Sequence, residues 1–211
     1  MEKLAGWKVV IAGSAGLLGL GLVRAFRMAG ATVIVPVRDS AELAELRAHC
    51  DDLVCGDLIV EEADLGDPDS AANFSEWLGR NFAGLDVAVV APATGLAHGA
   101  FGYFDSKTWA AVVREGLAGH LHAMRALIPW LNESRGVVAT IGSEAPSGLV
   151  SVLEQIGTRS IAVVDVILEK LTVRKAERYN PQDIGPWLVD LVDAASPSAP
   201  ASHRLAVTVK D

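Results

Sequence analysis

The chain has little of what several classes of protein require. It contains two cysteines in 211 residues, Cys50 and Cys55, five residues apart and without the set of histidine or further cysteine partners that a zinc site needs, so we expect no metal site. Basic residues number 18 against 26 acidic ones, giving a net charge of −8, which argues against binding to nucleic acid or an anionic membrane. No apolar run approaches the roughly 18 residues of a membrane span, and the start from Met1 has no signal-peptide pattern. These features favour a reduced, cytoplasmic protein.

What the chain does have is an alternation of short β-branched runs with longer helical segments. Apolar residues make up 51% of it, enough for a sizeable core. Strands are predicted at 9–12, 32–37, 58–60, 85–91, 136–141 and 205–209, and helices at 17–28, 41–49, 69–82, 106–131, 159–174 and 183–194. Asp39 or Ser40 is expected to cap the second helix, and Pro129 to end or bend the fourth.

Strands that alternate with helices indicate βαβ units and a parallel sheet. We therefore predict an α/β protein with a single domain over residues 1–211, built as a doubly wound, Rossmann-type parallel sheet that is shortened at its C-terminal end.

A glycine-rich segment joins the first predicted strand to the first predicted helix. It reads Gly13-Ser14-Ala15-Gly16-Leu17-Leu18-Gly19. The first glycine permits a tight turn, the second lets the backbone approach a pyrophosphate, and the third lets helix and strand pack closely. The helix N-terminus then offers N–H groups to the phosphates, to which the Ser14 hydroxyl could add. This context predicts dinucleotide binding by the segment, including the backbone at Leu17 and Leu18.

The residues after the second strand bear on which dinucleotide is bound. Arg38 comes first and would accommodate a 2′-phosphate, which favours NADP(H), with NAD(H) as the alternative. The other interpretation is that Arg38 is a solvated loop residue and Asp39 an ordinary helix cap.

Together these residues resemble the short-chain dehydrogenase/reductase superfamily over nearly the whole chain. The Gly-x-x-Gly-x-x-Gly form is similar to that of its extended and atypical branches. Asp64-Leu65 resembles the pair that holds the adenine after the third strand, and Ala91-Pro92 stands where the family has its Asn-Asn-Ala-Gly segment after the fourth. The resemblance implies a nicotinamide dinucleotide cofactor at these positions.

The chain departs from the family where the chemistry should be. Ser143 matches the catalytic serine, but Ile156 stands thirteen residues later in place of the tyrosine, and Ser160 in place of the lysine. Isoleucine cannot transfer a proton and serine carries no charge to tune a neighbour. The resemblance therefore implies a cofactor-binding half without the usual proton-transfer pair.

Three residues are candidates for the missing chemistry, each with a plainer alternative. Ser143 could hydrogen-bond a substrate oxygen or merely end a strand. Tyr103 begins a Tyr-x-x-Ser-Lys segment that precedes the fourth helix, so it is either a substitute proton donor or a loop residue. His98 could reach the crevice as an acid or base, or contact a partner or solvent.

The helices predicted at 106–131 and 159–174 are apolar on more than one face. In the resembled family the same two helices form a dimer interface, which implies a homodimer, whereas the alternative is that these residues are all monomer core.

Two functions remain open. The first is an NADP(H)-binding family member without standard dehydrogenase activity, in a cofactor-responsive or regulatory role with an unknown small-molecule or protein partner. The second is an NAD(P)-dependent oxidoreductase of a small carbonyl or alcohol substrate with a non-standard proton donor. A structural relic without cofactor is disfavoured by the three retained glycines and Asp64.

Overall fold

The computed structural model describes residues 2–14, 17–50, 52, 55–91, 107, 118–142, 161–168, 181–195 and 205–209. Seven strands and five helices are named within these ranges. The strands are β1 (Lys8–Ala12), β2 (Thr32–Val37), β3 (Leu58–Glu62), β4 (Val87–Val90), β5 (Val137–Gly142), β6 (Ala162–Leu168) and β7 (Leu205–Val209). The helices are α1 (Leu17–Met28), α2 (Ser40–Cys50), α3 (Pro68–Asn81), α4 (Gly119–Ser134) and α5 (Pro181–Ala194).

The strands form one sheet in the order β3-β2-β1-β4-β5-β6-β7. Every neighbouring pair is parallel, as Val10 beside Ile34 of β2 and Val10 beside Ala88 of β4 illustrate. The strand order turns back between β1 and β4, the point at which such sheets open a crevice. The predicted doubly wound parallel sheet is confirmed.

Helices cover both faces of the sheet because alternate side chains of each strand point to opposite sides. One core layer joins Val9, Ile11 and Val33 to α1, α2 and α5, with Phe26 fully buried. The other joins Val10 and Ile34 to α3 and α4.

Local chemistry explains where the helices begin. The Asp39 carboxylate accepts the N–H groups of Ala41 and Glu42 at 2.9 Å each, so Asp39 is the cap of α2, one of the two residues expected. Asp67 caps α3 in the same way by accepting the Ser70 N–H. Pro129 lies inside α4, which continues to Ser134, so this proline does not end the helix.

The helix predicted at 159–174 is wrong over the part that the structure describes. Ala162–Leu168 is β6, paired in parallel with β5 on one side and β7 on the other. The reason is that a continuous apolar run fits a buried helix and a buried strand equally well by periodicity. Here Val163, Val164 and Val166 supply the β-branched side chains that favour the strand.

This strand also changes two expectations that depended on the helix. A segment paired on both edges within the sheet cannot present a helical surface to a second copy, so the part of the proposed dimer interface at 162–168 is wrong. The sheet also gains a strand beyond the six that were predicted, and residues 143–161 are all that separates β5 from β6.

Among the described residues, no helix is both long and apolar enough to cross a membrane.

Candidate functional site

The carboxyl ends of four neighbouring strands bring the predicted binding residues to one edge of the sheet. The Ala63 N–H donates to the Val37 carbonyl at 2.8 Å, which joins the ends of β3 and β2. The Ala91 N–H donates to the Ala12 carbonyl at 2.9 Å, which joins the ends of β4 and β1. Residues from four separate parts of the sequence therefore line one edge: Asp64, Arg38, Gly13 and Ala91.

The glycine-rich turn has the geometry that its sequence requires at both described ends. Gly13 has a φ of 90°, a left-handed conformation that side chains disfavour. A Cβ added to Gly19 would overlap the Gly13 carbonyl oxygen and lie 2.6 Å from both Cα and the carbonyl carbon of Ser14. The first turn of α1 thus packs directly on the backbone of the turn after β1. Gly16, the middle glycine, lies outside the described residues.

The other residues of this segment differ in what they offer a ligand. Ser14 is buried. Leu18 is partly buried and packs against the core of α1, α2 and α5, while for Leu17 the structure describes the backbone alone. The described part of this turn, Gly13 and Ser14, thus presents chiefly backbone at the edge of the sheet, as a close approach to a phosphate requires.

The loop after β3 is held in place by its own side chains and by α4. Asp64 accepts the Gly66 N–H at 2.8 Å, and its own N–H donates to the Ser70 hydroxyl at 2.9 Å. The Nδ1 atom of His122 on α4 donates to the Gly66 carbonyl at 2.9 Å. Leu65 is buried against α3 and α4, so its side chain belongs to the core. The loop therefore presents a fixed backbone surface at the edge.

Arg38 lies at the end of β2 and is bound to a carboxylate of α2. Its Nε donates to Oε1 of Glu42 at 2.6 Å, its Nη2 contacts the same oxygen, and its backbone N–H donates to Oε2 at 2.8 Å. The hydrogen bond to Glu42 is the main cause that raises the pKa of Arg38, and the charges of Glu42, Asp64 and Asp39 add to it. Arg38 is thus a solvent-exposed cation with one carboxylate already bound.

The structure does not describe the residues that are candidates for catalysis. Ser143, Tyr103, His98 and Pro92 lie outside the described residues. Ile156 and Ser160 do as well, but Ile161, which follows Ser160, is buried against the α3–α4 layer just before β6. In the sequence, Ser160, the position expected for the lysine, stands two residues before the amino end of β6, whereas the crevice opens at the carboxyl ends of the strands.

Two residues that shape this edge were missed by sequence reasoning. Glu42 had a local signal, since it stands four residues after Arg38 at the start of a predicted helix, a spacing at which opposite charges pair. His122 had none, because its partner Gly66 lies 56 residues away and the contact depends on how α4 packs.

Comparison with known proteins gives the family. The family model for short chain dehydrogenases matches residues 8–155, a match that ends one residue before Ile156. A Macrophomina phaseolina (strain MS6) protein, the short chain dehydrogenase/reductase dpmpG, is 30% identical over 149 residues, covering 69% of this chain and 85% of that protein.

Solved structures share the fold at lower identity. A metagenomic short-chain oxidoreductase in complex with NADP has a TM-score of 0.80 at 20% identity, with 99% of both chains covered. A putative short chain dehydrogenase from Pseudomonas syringae has a TM-score of 0.81 at 19% identity, with 98% of this chain and 96% of that one covered. An NADH-dependent reductase, A1-R′, complexed with NAD has a TM-score of 0.75 at 17% identity, covering 99% and 97%. With the family match over most of the sequence and the glycine turn in its expected place, the chain belongs to the short-chain dehydrogenase/reductase family.

Proposed function

We propose that the chain binds a nicotinamide dinucleotide along the carboxyl edge of β3, β2, β1 and β4, with NADP(H) preferred over NAD(H). The observation that carries the proposal is the turn after β1, where Gly13 is left-handed and α1 packs on backbone through Gly19. Such a turn leaves room for a pyrophosphate at the start of α1. A neighbour of the same fold is complexed with NADP and another with NAD.

Each part of the dinucleotide has a proposed set of contacts. The backbone from Gly13 to Gly19, with Ser14, would hold the pyrophosphate. Asp64 and Leu65 would border the adenine, with Ala91 and Pro92 bordering the adenosine ribose side of the crevice. Arg38 would meet a 2′-phosphate, since it is exposed at the end of β2. Bound NADPH would supply a hydride and bound NADP⁺ would accept one, and the chain's part is to bind and orient the cofactor.

We further propose that the chain does not perform the family's standard proton transfer and instead has a cofactor-responsive role. In support, the segment expected to be the helix of the tyrosine and lysine includes β6, and Ser160 stands two residues before that strand in the sequence. The sequence contains two tyrosines in all, Tyr103 and Tyr179. A protein of this kind would act through a partner whose contact with it changes on dinucleotide binding.

An oxidoreductase with a non-standard proton donor is the second candidate. The family membership favours it, and the match at 8–155 includes Ser143, Tyr103 and His98. If the protein turns over a small carbonyl or alcohol, replacing Ser143 and His98 by alanine and Tyr103 by phenylalanine, one at a time, would show which of them is the proton donor. A general acid or base contributes about 10² to 10⁴ in rate, so its loss would be plain.

The cellular site and the oligomeric state are also proposals. A cytoplasmic location is supported by Cys50 and Cys55, neither of which is part of a disulfide, since a reducing compartment keeps cysteines reduced. We propose a homodimer that uses the helix predicted at 106–131, of which α4 is the described part, because 162–168 lies within the sheet.

The deciding experiment is titration of the purified protein with NADPH and with NADH, in which binding is measured by calorimetry and by nucleotide fluorescence. Binding of NADPH in the micromolar range, tighter than NADH, is expected. Failure of both to bind would refute the proposal. Binding accompanied by hydride turnover across a carbonyl panel would favour the second candidate over the cofactor-responsive role.

A further inference from the structure

The cation expected to select the dinucleotide is bound at close range by another side chain. Both oxygens of Glu42 are used on Arg38, one by the guanidinium and one by the backbone N–H. The Glu42 side chain is only 12% exposed, whereas that of Arg38 is 58% exposed. The carboxylate is therefore the fixed member of the pair, and the guanidinium is the member that solvent or a ligand can reach.

Among the residues that the structure describes, the charge around Arg38 is negative on balance. Three carboxylates, those of Asp39, Glu42 and Asp64, act on this one guanidinium. Asp39 is engaged with the first N–H groups of α2, and Asp64 with the Gly66 N–H. A doubly charged phosphate placed here would gain one cation and approach several anions, whereas a ribose hydroxyl would carry no charge and could donate to a carboxylate.

We infer that Glu42 is a specificity-determining residue that limits the preference for a 2′-phosphate by competing for Arg38. A 2′-phosphorylated dinucleotide must share or displace the Glu42 carboxylate, and that cost falls on NADP(H) but not on NAD(H). The inference rests on the proposed function, because it assumes that the adenosine ribose lies at the end of β2. Under this inference, Arg38 favours NADP(H) over NAD(H) only moderately, and the side chain of Glu42 sets the size of that preference.

The test is the Glu42→Gln variant, which keeps the size of the side chain and removes its charge. Dissociation constants for NADPH, NADH, 2′,5′-ADP and 5′-AMP are measured at 0.15 M salt. We expect the ratio of the NADH to the NADPH constant to rise by about threefold to tenfold, mainly because NADPH binds more tightly, the range set by an exposed ion pair plus the removed repulsion. The ratio of the 5′-AMP to the 2′,5′-ADP dissociation constant should rise in parallel.

Glu45→Gln is the matched control. Glu45 lies on the same helix, is exposed, and its substitution changes the net charge by the same amount. In Glu45→Gln, the ratio of the NADH to the NADPH dissociation constant should stay at the wild-type value. In an Arg38→Gln background, Glu42→Gln should change the ratio clearly less than in the wild type, because the competition requires the guanidinium.

The outcomes separate this inference from the function on which it rests. If neither dinucleotide binds the wild-type protein, the proposed function and the inference are both refuted. If both bind but Glu42→Gln leaves the ratio unchanged or lowers it, the inference alone is overturned. An undiminished effect without Arg38 would also overturn it, since Glu42 would then act without the proposed partner.

Discussion

Replacement of Gly19 by alanine tests whether the close approach of α1 to the turn shapes the nucleotide site. The new Cβ would overlap the Gly13 carbonyl oxygen and lie 2.6 Å from two backbone atoms of Ser14. Ordinary contacts between such atoms are about 3.5 Å, so α1 and the turn must separate by roughly 1 Å. Backbone cannot swing aside as a side chain can, so the strain falls on the segment proposed to hold the pyrophosphate.

The magnitude follows from two opposing contributions. Alanine in place of glycine within a helix stabilises it by about 1 kcal/mol, while overpacking of a closed site costs about 1 to 3 kcal/mol. We expect a net loss of about 0 to 2 kcal/mol in the free energy of unfolding. The displaced turn should weaken NADPH binding roughly tenfold or more. Urea unfolding gives the first quantity and calorimetric titration of the folded variant gives the second.

Gly79→Ala is the control because it places the same methyl group in a helix far from the turn. Its Cβ would meet the Trp130 indole, with Cζ2 at 2.7 Å, near the amino ends of the strands, where the Trp130 carbonyl accepts the Leu85 N–H. The indole can move, at the cost of its 3.0 Å hydrogen bond to Ser75. Some stability should be lost and NADPH affinity kept. Unchanged affinity in Gly19→Ala, or equal weakening in both variants, would refute the reasoning.

Three further predictions concern stability, pH and chemistry. Arg27→Gln should lower the free energy of unfolding by about 2 kcal/mol in urea melts, because the buried guanidinium donates to the carbonyls of Cys50, the last residue of α2, and of Gly56, which precedes β3. Arg24→Gln, which removes a partly exposed ion pair with Asp52, should change the free energy of unfolding little. The hydrogen bond from Arg24 holds the pKa of Asp52 below its usual 3.8. The pair's contribution to the free energy of unfolding is therefore present above pH 3.8 and is lost as pH falls through the pKa of Asp52 in the folded protein. An NMR titration should show that pKa rising in Arg24→Gln. Ile156→Tyr with Ser160→Lys should leave dehydrogenase activity at the wild-type level in an NADPH oxidation assay, whereas a gain approaching 10² would place both residues in the crevice.

Local patterns were sufficient for most of the fold. The first three helices and the first five strands begin or end within two residues of prediction at nearly every boundary, because glycine, aspartate caps and β-branched runs mark them. The glycine turn was predictable for the same reason, since a left-handed Gly13 and a close-packed Gly19 have consequences that are local in sequence.

What could not be predicted depended on partners far along the chain. Residues 162–168 are apolar enough for a helix or a strand, and pairing with β5 and β7 decides for the strand. Alignment with a family helix supported the wrong choice because the chain is shorter between β5 and β6 than that alignment assumed. The contact of His122 with Gly66 likewise arises only once α4 is packed.

The order of the strands has a consequence for folding. Along the sheet, each neighbouring pair joins strands that are consecutive in sequence, except β1 with β4. That junction closes the longest loop between neighbouring strands, and loop closure of this kind slows folding because its entropy is lost before contacts form. The same junction borders the proposed dinucleotide crevice. A ligand that contacts both sides of the β1–β4 junction would therefore hold together the two halves of the sheet whose pairing closes the longest loop. We expect bound nucleotide to slow unfolding for this reason.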